Sequence, residues 1–218
     1  RCSRDWSSDV CSSDLGGSTY INLLPEILPI IEERGYDIDI QDSREYSVTF
    51  EFDPVTETTF QDIKWPKGHP AAGDPILLRD YQVEIVNKFL ENPQCIQEVA
   101  TGAGKTIMTA ALSASVQKYG RSVVIVPSKS LVTQTEADYI NMGLDVGVLF
   151  GDRKEYNRTH TICTWQSLNT LLKNTKNYEA DITINEFVEN VVCVMVDEAH
   201  SAKADALKTL LTSVFART

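Results

Sequence analysis

Val99-Ala-Thr-Gly-Ala-Gly-Lys-Thr106 decides how the rest of this sequence is read. It overlaps the end of a strand-like run, Ile96–Ala100, and opens a helical pattern. A glycine-rich turn in that setting leaves backbone N–H groups free to wrap phosphates, while a lysine reaches the outer phosphates and a hydroxyl binds magnesium. The positive end of a helix starting near Gly104 adds to the attraction. Thr101, Gly102, Ala103 and Gly104 are therefore the expected cradle, Lys105 the charge on the outer phosphates, and Thr106 a ligand of Mg2+. Val99 stands where the strict pattern has its first glycine. The plainer reading is a Gly-rich turn that holds no nucleotide.

Outward from this loop, strand-like runs recur at Ser122–Val126, Val146–Phe150, Thr159–Cys163 and Val191–Val196, with helical patterns between them. Strand and helix in alternation mean an α/β fold. The fully apolar runs Val123–Val126 and Val191–Val196 suit central parallel strands covered on both faces. A doubly wound sheet follows, with ligands expected at the carboxyl ends of its strands. Val194-Met-Val-Asp-Glu-Ala-His200 delivers two adjacent carboxylates at one such end. Alone, an Asp-Glu pair after a strand is a solvated turn. Behind a buried strand and downstream of the glycine loop, it makes Asp197 the second expected magnesium ligand, direct or through water. Glu198 is then free to act as general base on an attacking water.

Asp197-Glu-Ala-His200 beside Ala100-Thr-Gly-Ala-Gly-Lys-Thr106 resembles motifs II and I of the superfamily 2 helicases and translocases of DEAH-box type. The resemblance implies a RecA-like P-loop domain, ATP and Mg2+ as cofactors, Lys105 and Glu198 as catalytic residues, and His200 as a coupling residue. Leu78-Arg-Asp-Tyr-Gln82 resembles the upstream element whose glutamine reads adenine, which implies Gln82 as adenine contact and Arg79 in support. Val126-Pro-Ser-Lys-Ser-Leu-Val-Thr-Gln134 resembles motif Ia and Thr161-Ile-Cys-Thr-Trp-Gln-Ser-Leu168 resembles motif Ic. In relatives both touch the nucleic-acid backbone, so Pro127, Ser128, Lys129, Thr164 and Gln166 are the implied contacts. Singly, each is also an ordinary strand-to-helix junction with a Ser or Thr cap. Tyr20-Ile-Asn-Leu-Leu-Pro25, the helix after it and Gly35-Tyr36 are similar to the end of the N-terminal domain of the phage UvsW-like DNA helicases. The resemblance covers roughly residues 20 to 218 and implies DNA, single-stranded or branched, as partner, with RNA the alternative. It also implies a second RecA-like domain that supplies an arginine finger, worth about a thousandfold or more in rate. This chain stops at Thr218, before motif III, so weak ATP binding and poor hydrolysis are expected of it alone.

Composition fits a folded chain and sets one tension. Apolar residues make up 42% and charged residues 23%, far from the signature of disorder. The net charge of −11 is uneven: Asp and Glu against Lys and Arg number 12 to 4 in residues 16–74 and 16 to 14 from residue 75 onward. Nucleic-acid binders usually carry a basic footprint. Hydroxyls and helix N-termini can hold phosphates without one, and Lys129, Arg153 or Lys154 add local charge. Nothing reads as a membrane span or signal peptide. The five cysteines form no CxxC pair, and Cys95, Cys163 and Cys193 read as free thiols in a reducing cytoplasm.

The expected organisation runs as follows. Residues 1–15 have no period, repeat Ser-Ser-Asp and resemble a translated sequencing adapter, so Cys2 and Cys11 are left unpaired. Residues 16–60 form a partial α+β accessory domain, from a helix over Leu23–Arg34 and strands around Ile38–Ile40 and Tyr46–Phe52. Residues 61–75, rich in Pro and Gly, form a linker, and 76–218 the ATP-binding domain. The expected function is the first motor domain of an ATP-dependent DNA helicase or translocase in recombination, repair or replication-fork remodelling. A restriction-enzyme translocase subunit or an RNA helicase is the rival within that class. A nucleotide-gated binding module without motor activity is the rival outside it.

Overall fold

The structure, a computed structural model, describes residues 23–40, 50–92, 95–179, 181–199 and 210–211. It divides into two compact units, Arg1–Thr49 and Phe50–Thr218. In the first, α1 (Leu24–Glu33) forms as the apolar spacing predicts, with Pro25 in its first turn, and none of its residues is buried. Ile38–Ile40 joins no ladder, and Tyr46 and Val48 lie outside the described residues. Phe50 and Phe52 do not pair as a strand either. Their rings meet Tyr119 edge-on at centroid distances of 4.8 and 5.5 Å, in the second unit.

Among the described residues, that second unit holds five strands: β1 (Arg121–Val126), β2 (Val146–Phe150), β3 (Arg153–Lys154), β4 (His160–Thr164) and β5 (Val191–Val196). Their order is β3-β2-β4-β1-β5, every pair parallel except the β2–β3 hairpin. Beta5 is thus an end strand, paired among the described strands only with β1. Helices α2 (Asp80–Glu91), α3 (Lys105–Val116), α4 (Lys129–Asn141), α5 (Trp165–Lys176) and α6 (Ile184–Val188) accompany the sheet.

Alternation along the strands sorts their side chains onto two faces. Val124, Val126, Val148, Ile162 and Met195 join Val86, Met108, Leu112 and Tyr139 under α2, α3 and α4. Val123, Ile125, Leu149, Cys163 and Val191 join Leu168, Ile184 and Phe187 under α5 and α6. Each fully buried aliphatic side chain contributes about 1.5–3 kcal/mol. The register between β1 and β5 shifts between Arg121 and Ser122, a bulge that turns both Val192 and Cys193 toward the first face.

Two expectations need correction. The linker expected at 61–75 is packed on the domain, because Phe60, Ile63, Trp65 and Ile76 sink into the first core around it. A short bridge, Lys64 to Pro75, and the bond from Ile76 N–H to the Ile63 carbonyl at 2.8 Å hold it there. The expected strand Ile96–Ala100 joins no ladder. Its alternate residues Cys95, Gln97 and Val99 face inward, where Gln97 Nε2 donates to the Ile85 carbonyl at 3.1 Å, while Ile96 is 95% exposed.

Layer topology prepares a site. From β1 the chain crosses to the first face through α4, whereas from the neighbouring β4 it crosses to the second face through α5. Adjacent strands whose connections leave in opposite directions open a crevice at their carboxyl ends. Behind it lies a buried polar chain: Ser113 Oγ lies 2.9 Å from Tyr139 OH and 2.9 Å from Ser122 Oγ, which lies 2.9 Å from His160 Nδ1. Cys95, Cys163 and Cys193 are free thiols, with burial pushing the Cys193 thiol up to about 12. Among the described residues, no helix is long and apolar enough to cross a membrane.

Candidate functional site

The glycine loop takes its shape from two left-handed residues, Gly102 (φ 81) and Gly104 (φ 83), a conformation that β-carbons penalise. Gly104 caps α3, whose first turn leaves N–H groups without helical acceptors, pointing toward the loop. Beside Gly102 there is open space, whereas a β-carbon on Gly104 would sit 2.6 Å from Gln82 Nε2. Thr101 and Gly102 are exposed, and Ala103, Gly104, Lys105 and Thr106 half-buried.

Residues remote in sequence meet Lys105 here. Its Nζ donates to Glu198 Oε1 and lies 4.0 Å from Asp197 Oδ1. Asp197 and Glu198 follow directly on β5, where Asp197 N–H donates to the Ile125 carbonyl at 2.9 Å as a last rung on β1. Glu198 adopts φ 50, and its N–H donates to Asp197 Oδ1 at 3.0 Å. The Glu198 hydrogen bond, with help from Asp197, holds the Lys105 ammonium above its ordinary range. A cation facing two carboxylates at the mouth of a phosphate-shaped loop is poised to exchange partners when polyanionic ligand enters.

Gln82 is buried, and its amide is already engaged: Nε2 donates to the Ala103 carbonyl at 2.9 Å, and Oε1 accepts from Arg79 N–H at 2.9 Å. The carboxamide thus ties the start of α2 to the glycine loop. Tyr81, which sequence reading passed over, makes the same tie, its hydroxyl donating to the Ala103 carbonyl at 3.0 Å and accepting from Arg79 at 3.1 Å. Its adjacency to Gln82 at the start of an amphipathic helix was the available signal. His200 lies outside the described residues.

Pro127, Ser128, Lys129, Thr164 and Gln166 line one cavity of about 430 Å³ in the crevice between β1 and β4. The plainer reading of two of them holds as well. Ser128 Oγ accepts from Leu131 N–H at 3.3 Å and Thr164 Oγ1 from Ser167 N–H at 3.3 Å, so each caps its helix. Capping brings the N-termini of α4 and α5 to opposite sides of the same crevice, each with its positive end toward it. Gly151, Tyr156 and Asp181, which sequence reading passed over, share the walls with Lys154. Arg153 turns elsewhere: two bonds of 2.7 Å join it to Glu136, and two more, of 2.8 and 3.0 Å, to Glu155.

Against known proteins, residues 75–217 match the family described as type III restriction enzyme, res subunit, or ResIII. Among solved structures, the UvsW helicase from bacteriophage T4 superposes with a TM-score of 0.63 at 18% identity, over 88% of this chain and 66% of that one. A second T4 UvsW structure gives 0.62 at 19%, over 89% of this chain and 37% of that one. This chain therefore spans about two-thirds of one and about a third of the other.

Proposed function

Because the chain belongs to the ResIII family, we propose that it is the ATP-binding first motor domain of a DNA helicase or translocase in recombination, repair or replication-fork remodelling. One observation carries the reading: Lys105, on the glycine loop, meets Asp197 and Glu198, from the end of β5, at the carboxyl edge of a single sheet. The residues fit a magnesium nucleotide. The open left-handed loop offers backbone donors, and the charge opposite it is a carboxylate pair rather than a closed cage. No cluster of three or more His, Cys, Asp or Glu suited to a metal occurs among the described residues, and magnesium, which keeps waters and leans on one or two carboxylates, needs none.

Each residue then has a task. Gly102 to Gly104 cradle phosphate through backbone N–H groups, and Lys105 leaves Glu198 to neutralise the outer phosphates. Thr106 and Asp197 would hold the metal, which would offset the charge of the phosphates. Once released from Lys105, Glu198 can take a proton from water. Bound MgATP supplies the phosphoryl group whose transfer releases the free energy for movement. Gln82 and Arg79 stand beside the loop for the base, and the β1–β4 crevice takes the nucleic-acid backbone.

Calorimetric titration of the chain with MgATP tests this reading. Lys105→Ala removes a charge-assisted contact, so binding should weaken about tenfold or more. Glu198→Gln, which loosens the hold on Lys105, should bind at least as well as the parent. Equal binding by Lys105→Ala and the parent would sink the assignment.

A further inference from the structure

Resting on the reading of the β1–β4 crevice as a nucleic-acid path, we infer that Asp181 is a built-in substitute for a backbone phosphate, seated on Lys154 and displaced by an incoming single strand. Four charged side chains line this crevice: Lys129, Lys154, Glu179 and Asp181. Glu179 and Asp181 sit beyond α5, so acid collects at one end of a channel whose other end holds the caps of α4 and α5. Lys154 Nζ reaches Asp181 Oδ2 at 2.6 Å.

Several features mark this contact as exchangeable. Both side chains are open to water, at 53% and 70% exposure, where an ion pair is worth little and yields readily to a better anion. Its neighbour behaves differently, because Arg153 is fixed bidentate on Glu136, whose side chain is only 11% exposed. Of the hairpin's two cations, only Lys154 faces the crevice and can change partners. A phosphate oxygen offers it the same geometry as the carboxylate, and a strand that reaches Lys154 can also lay its neighbouring phosphates on Lys129 and the two helix N-termini at the other end, which Asp181 cannot do. Internal competition of this kind keeps an acidic chain from holding any polyanion and favours one that also engages the caps.

Fluorescence anisotropy of a labelled single-stranded oligodeoxythymidylate, titrated with the full chain across a salt series, tests the idea. Lys154→Gln should weaken binding and flatten the salt slope by about 0.7, the value of one phosphate contact on a single strand. Asp181→Asn should act in the opposite direction, tightening binding about two- to fivefold. Were the pair only a brace for the hairpin, Asp181→Asn would weaken binding and lower the thermal midpoint, and the inference would fall. If Lys129→Gln weakens binding while both crevice variants match the parent in affinity and slope, the path stands and Asp181 has no such role. If the parent binds no oligonucleotide, the path falls and takes this inference with it.

Discussion

Lowering the pH should loosen this protein at His160, with Asp138, whose carboxyl burial holds above its ordinary range, acting in the opposite direction. The imidazole is fully buried, with Nδ1 on Ser122 and Nε2 lacking any partner. Burial lowers its value from 6.5 to about 4, with the charge of Asp145 opposing weakly; the packed Tyr139 ring, edge-on at 6.0 Å, brings no charge. The unfolded chain takes up a proton as pH falls through 6.5, and the folded chain resists until about 4. Between those values the unfolded state holds more protons, so stability falls with pH and the loss is complete below the folded value. From pH 8 to pH 5 the expected loss is about 2 kcal/mol, approaching about 3 kcal/mol once both states are protonated. Asp145, Asp181 and Glu186 are held below their ordinary range by their partners, so their contributions persist until more acid conditions. Urea unfolding followed by tryptophan fluorescence at pH 8 and pH 5 measures the difference directly. His160→Phe keeps a ring against Tyr139 and removes the titration, so most of the difference should vanish. A parent as stable at pH 5 as at pH 8, or a variant with the parent's full pH dependence, would refute the reasoning.

Two glycine substitutions probe the frame of the site. Gly104→Ala imposes a left-handed alanine and pushes its β-carbon onto Gln82 Nε2, which should cost about 1–2 kcal/mol of stability and weaken MgATP binding, read by thermal unfolding and calorimetry. Gly147→Ala drives a β-carbon onto the Glu155 carbonyl and the Arg158 side chain, where backbone cannot give way. It should lower the unfolding free energy by about 3 kcal/mol, more than Gly143→Ala, which meets no neighbour but carries the cost of a left-handed alanine at φ 74, about 1–2 kcal/mol, and denaturant titration of the two decides it.

Much of this was legible because periodicity reports burial. Val123–Val126 and Val191–Val196 are apolar without interruption, and both became strands covered on two faces. Ile96–Ala100 misled because a short run containing Ile96 and Val99 looks like a strand, while Gln97 and Glu98 prevent two-sided burial. The short α6 escaped notice although Thr183 and Glu186 spell its cap, with Thr183 Oγ1 accepting from Glu186 N–H at 3.2 Å. At the candidate site, the loop and the Asp-Glu pair were each readable, because their chemistry requires residue types at fixed local spacing. Their meeting was expected as well, because Thr106 and Asp197 share one expected magnesium; the strand order that brings it about, β5 beside β1, was not legible. The full duty of Gln82 was equally hidden: nothing in Arg79-Asp-Tyr-Gln82 tells which carbonyl, 21 residues away, its amide will find.

The far edge of the sheet has a practical corollary for anyone handling the protein. Beta5 offers one flank to β1, and its sequence is six apolar residues with no charge, proline or glycine to deter a newcomer. Among the described strands that flank is unpaired, and an apolar flank of this character is a template for strand pairing. A lysine at an outward position of this strand is the remedy such edges commonly carry.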